Sequence, residues 1–217
     1  MTGIFDAVDG VIDPILVVCY SGQSAAYAHM LLRLAGYEAY SLKWGMSIYD
    51  ASLDVWTSKC SNSYANDEDW VTTASVALPA FDPPVLNTGK TTGAEILQAR
   101  LTAAAAMWSG TTISAADVMA DPSAYNIMCY WGAGDYTTLG HIDGAYQLTP
   151  KTLKSTQNLY VFDPDADNIL YCWTGQTAAA TIAYLKVLGY ENVSSISFGV
   201  NSMIYAQLST NKWPKPW

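Results

Sequence analysis

The sequence has little positive charge. Ten of its 217 residues are Lys or Arg against nineteen Asp and Glu, a formal net charge of −9. Binding to nucleic acid draws on clustered cations that neutralise phosphates, so nucleic acid is excluded as a partner. No apolar run reaches the roughly 20 residues of a membrane span, so none is expected. The opening, Met1-Thr2-Gly3-Ile4-Phe5-Asp6-Ala7-Val8-Asp9, lacks the basic and apolar regions of a signal peptide. Cysteine is sparse as well: Cys19, Cys60, Cys129 and Cys172 show neither zinc spacing nor a Cys-x-x-Cys pair. No metal and no cofactor is expected from them. A Cys60–Cys129 disulfide stays open, because nothing in the sequence sets their separation. The acidic turn Asp163-Pro164-Asp165-Ala166-Asp167-Asn168 lacks the glycine and the terminal glutamate of a calcium loop.

What is present describes a globular α/β protein. The hydrophobic fraction is 51% with regular Gly and Pro punctuation, enough for one large domain or two small ones. Low lysine with abundant Tyr, Trp, Ser, Thr and Asn resembles exported bacterial proteins. A periplasmic or otherwise exported location is expected, with the cytoplasm as the alternative.

The chemistry concentrates at Tyr171-Cys172-Trp173-Thr174-Gly175-Gln176-Thr177. This stretch follows the apolar Ile169-Leu170 and precedes an Ala-rich helical run ending at Leu188-Gly189. It reads as a buried strand, a tight loop and a helix starting at Thr177. Helix-start N–H groups have no intrahelical partner and stabilise an anion, here a thiolate. Such sites lower a thiol pKa from about 8.5 to roughly 3.5–7.5, so Cys172 is expected to ionise readily and to alkylate faster than Cys60 or Cys129. The pattern occurs twice. Ile15-Leu16-Val17-Val18 leads into Cys19-Tyr20-Ser21-Gly22-Gln23-Ser24 and a helix ending at Gly36-Tyr37. An offset of 153 residues lays Cys19 on Cys172, Gly22 on Gly175 and Gln23 on Gln176, which points to an internal duplication.

The loop resembles the Cys-x-x-Gly-x-(Arg/Thr/Ser) active-site hexapeptide of the rhodanese superfamily. Asp135-Tyr136-Thr137-Thr138-Leu139-Gly140-His141-Ile142-Asp143-Gly144-Ala145 is similar to that family's acidic-aromatic-x-x-Gly-His-Ile-x-Gly-Ala segment. Gly189-Tyr190-Glu191-Asn192-Val193 and Ser197-Phe198-Gly199 resemble its Gly-Tyr-x-x-Val and following glycine turn. The resemblance implies a parallel sheet flanked by helices, with Cys172 after the central strand, plus an incomplete second copy of the domain. The expected organisation is a C-terminal half-domain at residues 1–60, a linker at 61–92 and a full domain at 93–217. The half-copy lacks flanking strands. Its Cys19 strand is therefore expected to be buried on both faces, with the half-domain propped by the 60–110 segment or completed by another molecule in a homo-oligomer.

The implied activity is that of a thiosulfate sulfurtransferase-like enzyme. It would move a sulfane sulfur from a thiosulfate- or mercaptopyruvate-like donor to a thiol or cyanide-like acceptor through a cysteine persulfide. Cys172 is the favoured nucleophile, because its domain is encoded whole, and Cys19 is the second. Trp173, Thr174, Gly175, Gln176 and Thr177 would bind substrate at one loop, and Tyr20, Ser21, Gly22, Gln23 and Ser24 at the other, with Trp173 and Tyr20 walling a mouth. The pattern is broken where the family's Asp-Val-Arg falls on Cys129-Tyr130-Trp131, and no arginine stands in either loop. This keeps a non-catalytic persulfide carrier, sensor or interaction module open as the alternative. A phosphatase is disfavoured, since Ala25 and Ala178 stand where a phosphate-binding arginine is needed. His141 reads as a structural residue of its turn and His29 as a half-buried helix residue.

Overall fold

The computed structural model describes residues Met1–Trp217. Its centre is a parallel five-stranded sheet of β4 (Thr112–Ile113), β5 (Asn126–Cys129), β7 (Tyr146–Gln147), β8 (Asn168–Tyr171) and β9 (Val193–Ile196), in the order β4-β9-β8-β5-β7. Every residue of β8 is buried, as a parallel strand covered on both faces requires. The period of two then splits its side chains between two cores. Leu170 and Cys172 join the core formed with α5 (Gln176–Val187) and α2 (Gly93–Ala106). Ile169 and Tyr171 join the core under α3 (Ala115–Ala120) and α4 (Ala133–Thr138). Cys172 thus follows the middle strand, with Ile182 and Leu185 buried behind it and Leu188 half-buried.

Helix starts follow their local chemistry. Thr92 caps α2, accepting from Glu95 N at 3.3 Å and donating to Glu95 Oε2 at 2.6 Å, and Ser114 caps α3 through Asp117 in the same reciprocal way. On α2, Leu101 is buried whereas Leu97 is exposed.

The N-terminal copy consists of β1 (Ile15–Val17), α1 (Gln23–Leu34) and β2 (Ala39–Ser41), with β1 and β2 paired in parallel. It has no sheet of its own beyond these two strands. Expected burial of β1 on both faces is not met: Leu16 is 59% exposed and Val18 40%. The reason is that only one face of the pair is covered, by α1 and residues 4–8. The support also differs from expectation. The half-copy is propped chiefly by α1 against α5, where Ala26, Tyr27 and Leu31 enter the same core as Ala179, Ile182 and Ala183. Of the 60–110 segment, α2 contributes, with Tyr27 Oη donating to Ala104 O at 2.7 Å. Residues 61–92 run largely without regular structure, apart from β3 (Trp70–Val71), which pairs antiparallel with β6 (His141–Ile142). All four cysteines are free, so the Cys60–Cys129 disulfide is absent. No helix is long and apolar enough to cross a membrane.

Because both copies share one core, unfolding should be a single cooperative transition. Leu31→Ala, a truncation in the half-copy, should destabilise the whole chain by about 2–5 kcal/mol in urea titration. Two transitions, with only one shifted, would show that the copies fold separately.

Candidate active site

Two cysteine loops are built from the same parts. In each, the strand ends one or two residues before the cysteine and a glycine in the left-handed region, Gly22 at φ 84° or Gly175 at φ 72°, turns the chain into a twelve-residue helix. A side chain there would be strained. The turn points the first helical amides back at sulfur. Gly22 N donates to Cys19 Sγ at 3.1 Å and Ala25 N at 3.4 Å; Ala178 N donates to Cys172 Sγ at 3.4 Å. The helix begins at Gln176, one residue earlier than expected from the sequence.

A second wall makes each loop rigid, and sequence reasoning left its role unassigned. Trp44-Gly45 and Phe198-Gly199 are aromatic-glycine pairs whose four residues all have positive φ. A Cβ on Gly45 would fall onto Cys19 O, and one on Gly199 onto Cys172 O. The following amides close the contact, Met46 N to Cys19 O at 2.8 Å and Val200 N to Cys172 O at 3.1 Å. The signal was present in the sequence as an aromatic-Gly pair recurring at an offset of 154 (199 − 45). Around these turns Trp44, Trp56, Phe198 and Trp213 cluster, with Trp56 in edge contact with Trp44 at 4.7 Å and Phe198 at 4.9 Å between ring centroids.

The two loops face each other across the α1–α5 contact. Gln23 Oε1, from the first loop, accepts from Phe198 N at 2.8 Å in the wall of the second. Gln176 Nε2, from the second loop, donates to Ser21 O at 3.0 Å in the first. The remaining expected site residues divide. Thr174 is buried, and its Oγ1 accepts from Gln176 N at 3.3 Å, while Thr177 is exposed and Ser24 half-buried. Ser21 Oγ accepts from Gln23 Nε2 at 3.2 Å. Trp173 does not wall the Cys172 side: it packs on Trp131 in the core of the opposite sheet face. Tyr20 is 60% exposed.

The cysteines themselves differ in access. Cys172 is 2% exposed, packed in the core with Tyr130, Leu148 and Leu153. Cys19 is half-buried and borders a cleft of about 490 Å³ whose walls include Ile4, Val17, Val18 and Ala28. The expectation of a depressed Cys172 pKa is not met. Burial pushes its thiol above the ordinary value, and the amides of Thr174, Ala178, Gly175 and Thr177 pull it back only in part. Burial also lifts Cys60, to about 11, and Cys129 well above its usual range.

His141 is buried in the turn after α4. Its ring stacks on Tyr136 at 3.5 Å, with Nδ1 paired to Tyr136 O at 3.0 Å and Nε2 to Thr73 Oγ1 at 3.2 Å. These contacts brace a turn and reach neither cysteine loop. Burial lowers its pKa from 6.5, with the Tyr136 carbonyl and Asp143 opposing. The folded state therefore holds the proton less tightly than the unfolded one. The stabilisation is present above about pH 6.5 and is lost as pH falls through the folded pKa. Stability measured by denaturant should decline on acidification below pH 6.5, and His141→Gln should flatten that decline.

At neutral pH, iodoacetamide followed by peptide mapping should label Cys19 first, because Cys129 and Cys172 are buried and burial lifts the Cys60 thiol to about 11. Gly199→Ala should make Cys172 label faster than wild type, by prising apart its wall. Labelling of Cys172 ahead of Cys19 in the wild type would contradict this order.

The family model described as rhodanese-like domain matches residues 103–204, the part containing the five-stranded sheet and the Cys172 loop. Among solved structures, a rhodanese-related protein from Thermoplasma volcanium is similar at 22% identity and a TM-score of 0.39. That match covers 43% of this chain and 89% of the other.

Proposed function

We propose that the protein, whose residues 103–204 match the rhodanese-like domain model, transfers sulfane sulfur through a cysteine persulfide. The domain supports a sulfurtransferase or persulfide-related role in general; the observation behind the finer reading is the doubled, amide-lined cysteine loop. In the first half-reaction, a thiolate attacks the sulfane sulfur of a donor such as thiosulfate. The donor's S–S bond breaks, sulfite leaves with the electron pair, and the cysteine holds the sulfur as a persulfide. A thiol or cyanide acceptor then attacks the terminal sulfur and the thiolate is regenerated. Loop amides favour the anionic sulfur in both resting and loaded states, because their dipoles already point at it.

Accessibility shifts the first attack from Cys172, favoured on sequence grounds, to Cys19. Cys172 is enclosed and its burial disfavours the thiolate. The Cys19 loop meets a cleft and receives two amide hydrogen bonds. Cys172 then reacts more slowly, when the side chains packed over it move aside. A second reading, a carrier that stores sulfur without turnover, is favoured by the same enclosure of Cys172 and by the lack of any Arg or Lys in either loop. With no guanidinium fork to hold it, an anionic donor binds weakly.

Intact-mass measurement after thiosulfate treatment, followed by turnover with cyanide or a thiol, separates the two. Wild type should gain one sulfur atom, mapped to Cys19, and release it catalytically. Cys19→Ser should lower turnover at least about tenfold and Cys172→Ser less, the size expected when the accessible nucleophile is removed. Loading without acceptor-dependent turnover would favour the carrier. No loading at either cysteine would overturn sulfur transfer altogether.

A further inference from the structure

We infer that the two cysteine loops work as one cross-braced unit, in which Gln23 is a positioning residue for Cys172 and Gln176 a positioning residue for Cys19. This rests on the sulfur-transfer reading for its functional meaning, though the brace itself is geometric.

Each glutamine directly follows its own loop's glycine, yet its side-chain amide reaches the other loop, Gln23 keeping in addition the Nε2 bond to Ser21 Oγ of its own loop. Gln23 is buried, and its Oε1 takes the Phe198 amide at 2.8 Å. Phe198 opens the turn whose Gly199 lies against Cys172 O and whose Val200 N bonds that oxygen. The same Oε1 also lies against Gly175, one of the residues whose amide stabilises the Cys172 thiolate. Gln23 thus bonds the turn behind the Cys172 carbonyl and lies close to the glycine of the Cys172 loop. In the other direction, Gln176 Nε2 donates to Ser21 O at 3.0 Å and lies against Gly22. Gly22 N is the shorter of the two donors to Cys19 Sγ, at 3.1 Å. Ser21 O also accepts from Trp56 Nε1 at 3.1 Å, so the Cys19 loop is pinned from two sides.

Both loop glycines have positive φ, which a side chain would strain, and the glutamines lie close above them. A Cβ at Gly22 would sit 2.9 Å from Gln176 Nε2, and one at Gly175 would press on Gln23 Oε1. Loop backbone and opposing amide occupy the space together. An aligned amide N–H is what an anionic sulfur needs, and its alignment depends here on a residue from the other copy. The two braces use opposite chemistry: Gln23 serves the Cys172 wall as an acceptor, whereas Gln176 serves the Cys19 loop as a donor.

That difference provides the test. Iodoacetamide alkylation at pH 8, resolved by peptide mapping into separate rates for Cys19 and Cys172, is compared among wild type, Gln23→Leu, Gln23→Glu, Gln176→Leu and Gln176→Glu. Thiosulfate loading is followed in parallel by mass. Gln176→Leu should change the Cys19 rate by at least about fivefold, the scale of one lost hydrogen bond, and the Cys172 rate by less. Gln23→Leu should change the Cys172 rate more than that of Cys19, its own loop. Glutamate retains the acceptor for Phe198 N at 23 but loses the Nε2 bond to Ser21 Oγ, so at Cys172 Gln23→Glu should lie closer to wild type than Gln23→Leu. Glutamate loses the donor at 176, so Gln176→Glu should be no closer than Gln176→Leu. Effects confined to each glutamine's own loop, or all rates within twofold of wild type, would overturn the cross-brace. A crossed alkylation pattern with no sulfur loading anywhere would keep the brace and remove the sulfur-transfer reading.

Discussion

The packing of α1 on α5 is the contact on which the rest of the molecule depends. A two-stranded parallel pair has too little buried surface to persist alone in water. The N-terminal copy has only that pair, and its outer face carries exposed Leu16, Val18 and Tyr40. It borrows a core instead. Small residues on both helices, Ala26 on one and Ala179 and Ala183 on the other, let the backbones approach closely while Tyr27 and Leu31 fill the space beside them. Two helices of equal length begin at equivalent glycines, so their packing brings both N-termini, and both cysteine loops, to the same end of the interface. The tryptophan cluster seals that end, with Trp213 from the C-terminal tail and Trp56 from the first copy stacked on one another.

The same packing sets the electrostatics. Neither loop contains Arg or Lys, so what a loop itself offers a sulfur anion is its backbone dipoles. Cys172 is folded into the core, where burial outweighs four converging amides, whereas Cys19 stays half-buried. Similar loops therefore differ in access. The two loops share a cradle, and their surroundings set them apart.

Much of this was legible in the residues. The strand-loop-helix unit around Cys172 and its copy at Cys19 were readable because a tight turn needs glycine at one position, a buried strand needs an apolar run, and both recur at a constant offset. The Gly-His-Ile segment was readable as a structural turn only through its resemblance to the family motif, and His141 is tied to Tyr136, five residues away. Even the aromatic-glycine pairs at 44–45 and 198–199 were visible, though their purpose was not. Nothing local says that Gly199 must touch a carbonyl 27 residues earlier (199 − 172).

The sequence by itself determined the local chemistry: which sulfur faces which helix start, and which glycine must take a positive φ. Tertiary structure alone decided accessibility, the partners of the glutamines and the balance between burial and hydrogen bonding. Gln23 and Gln176 look like ordinary loop residues until two helices are packed, since their partners, Phe198 and Ser21, stand 175 and 155 residues away. Trp173, adjacent to the nucleophile in sequence, faces the opposite side of the sheet. Strand alternation sends neighbours to different cores, and only the assembled layers reveal which core is closed.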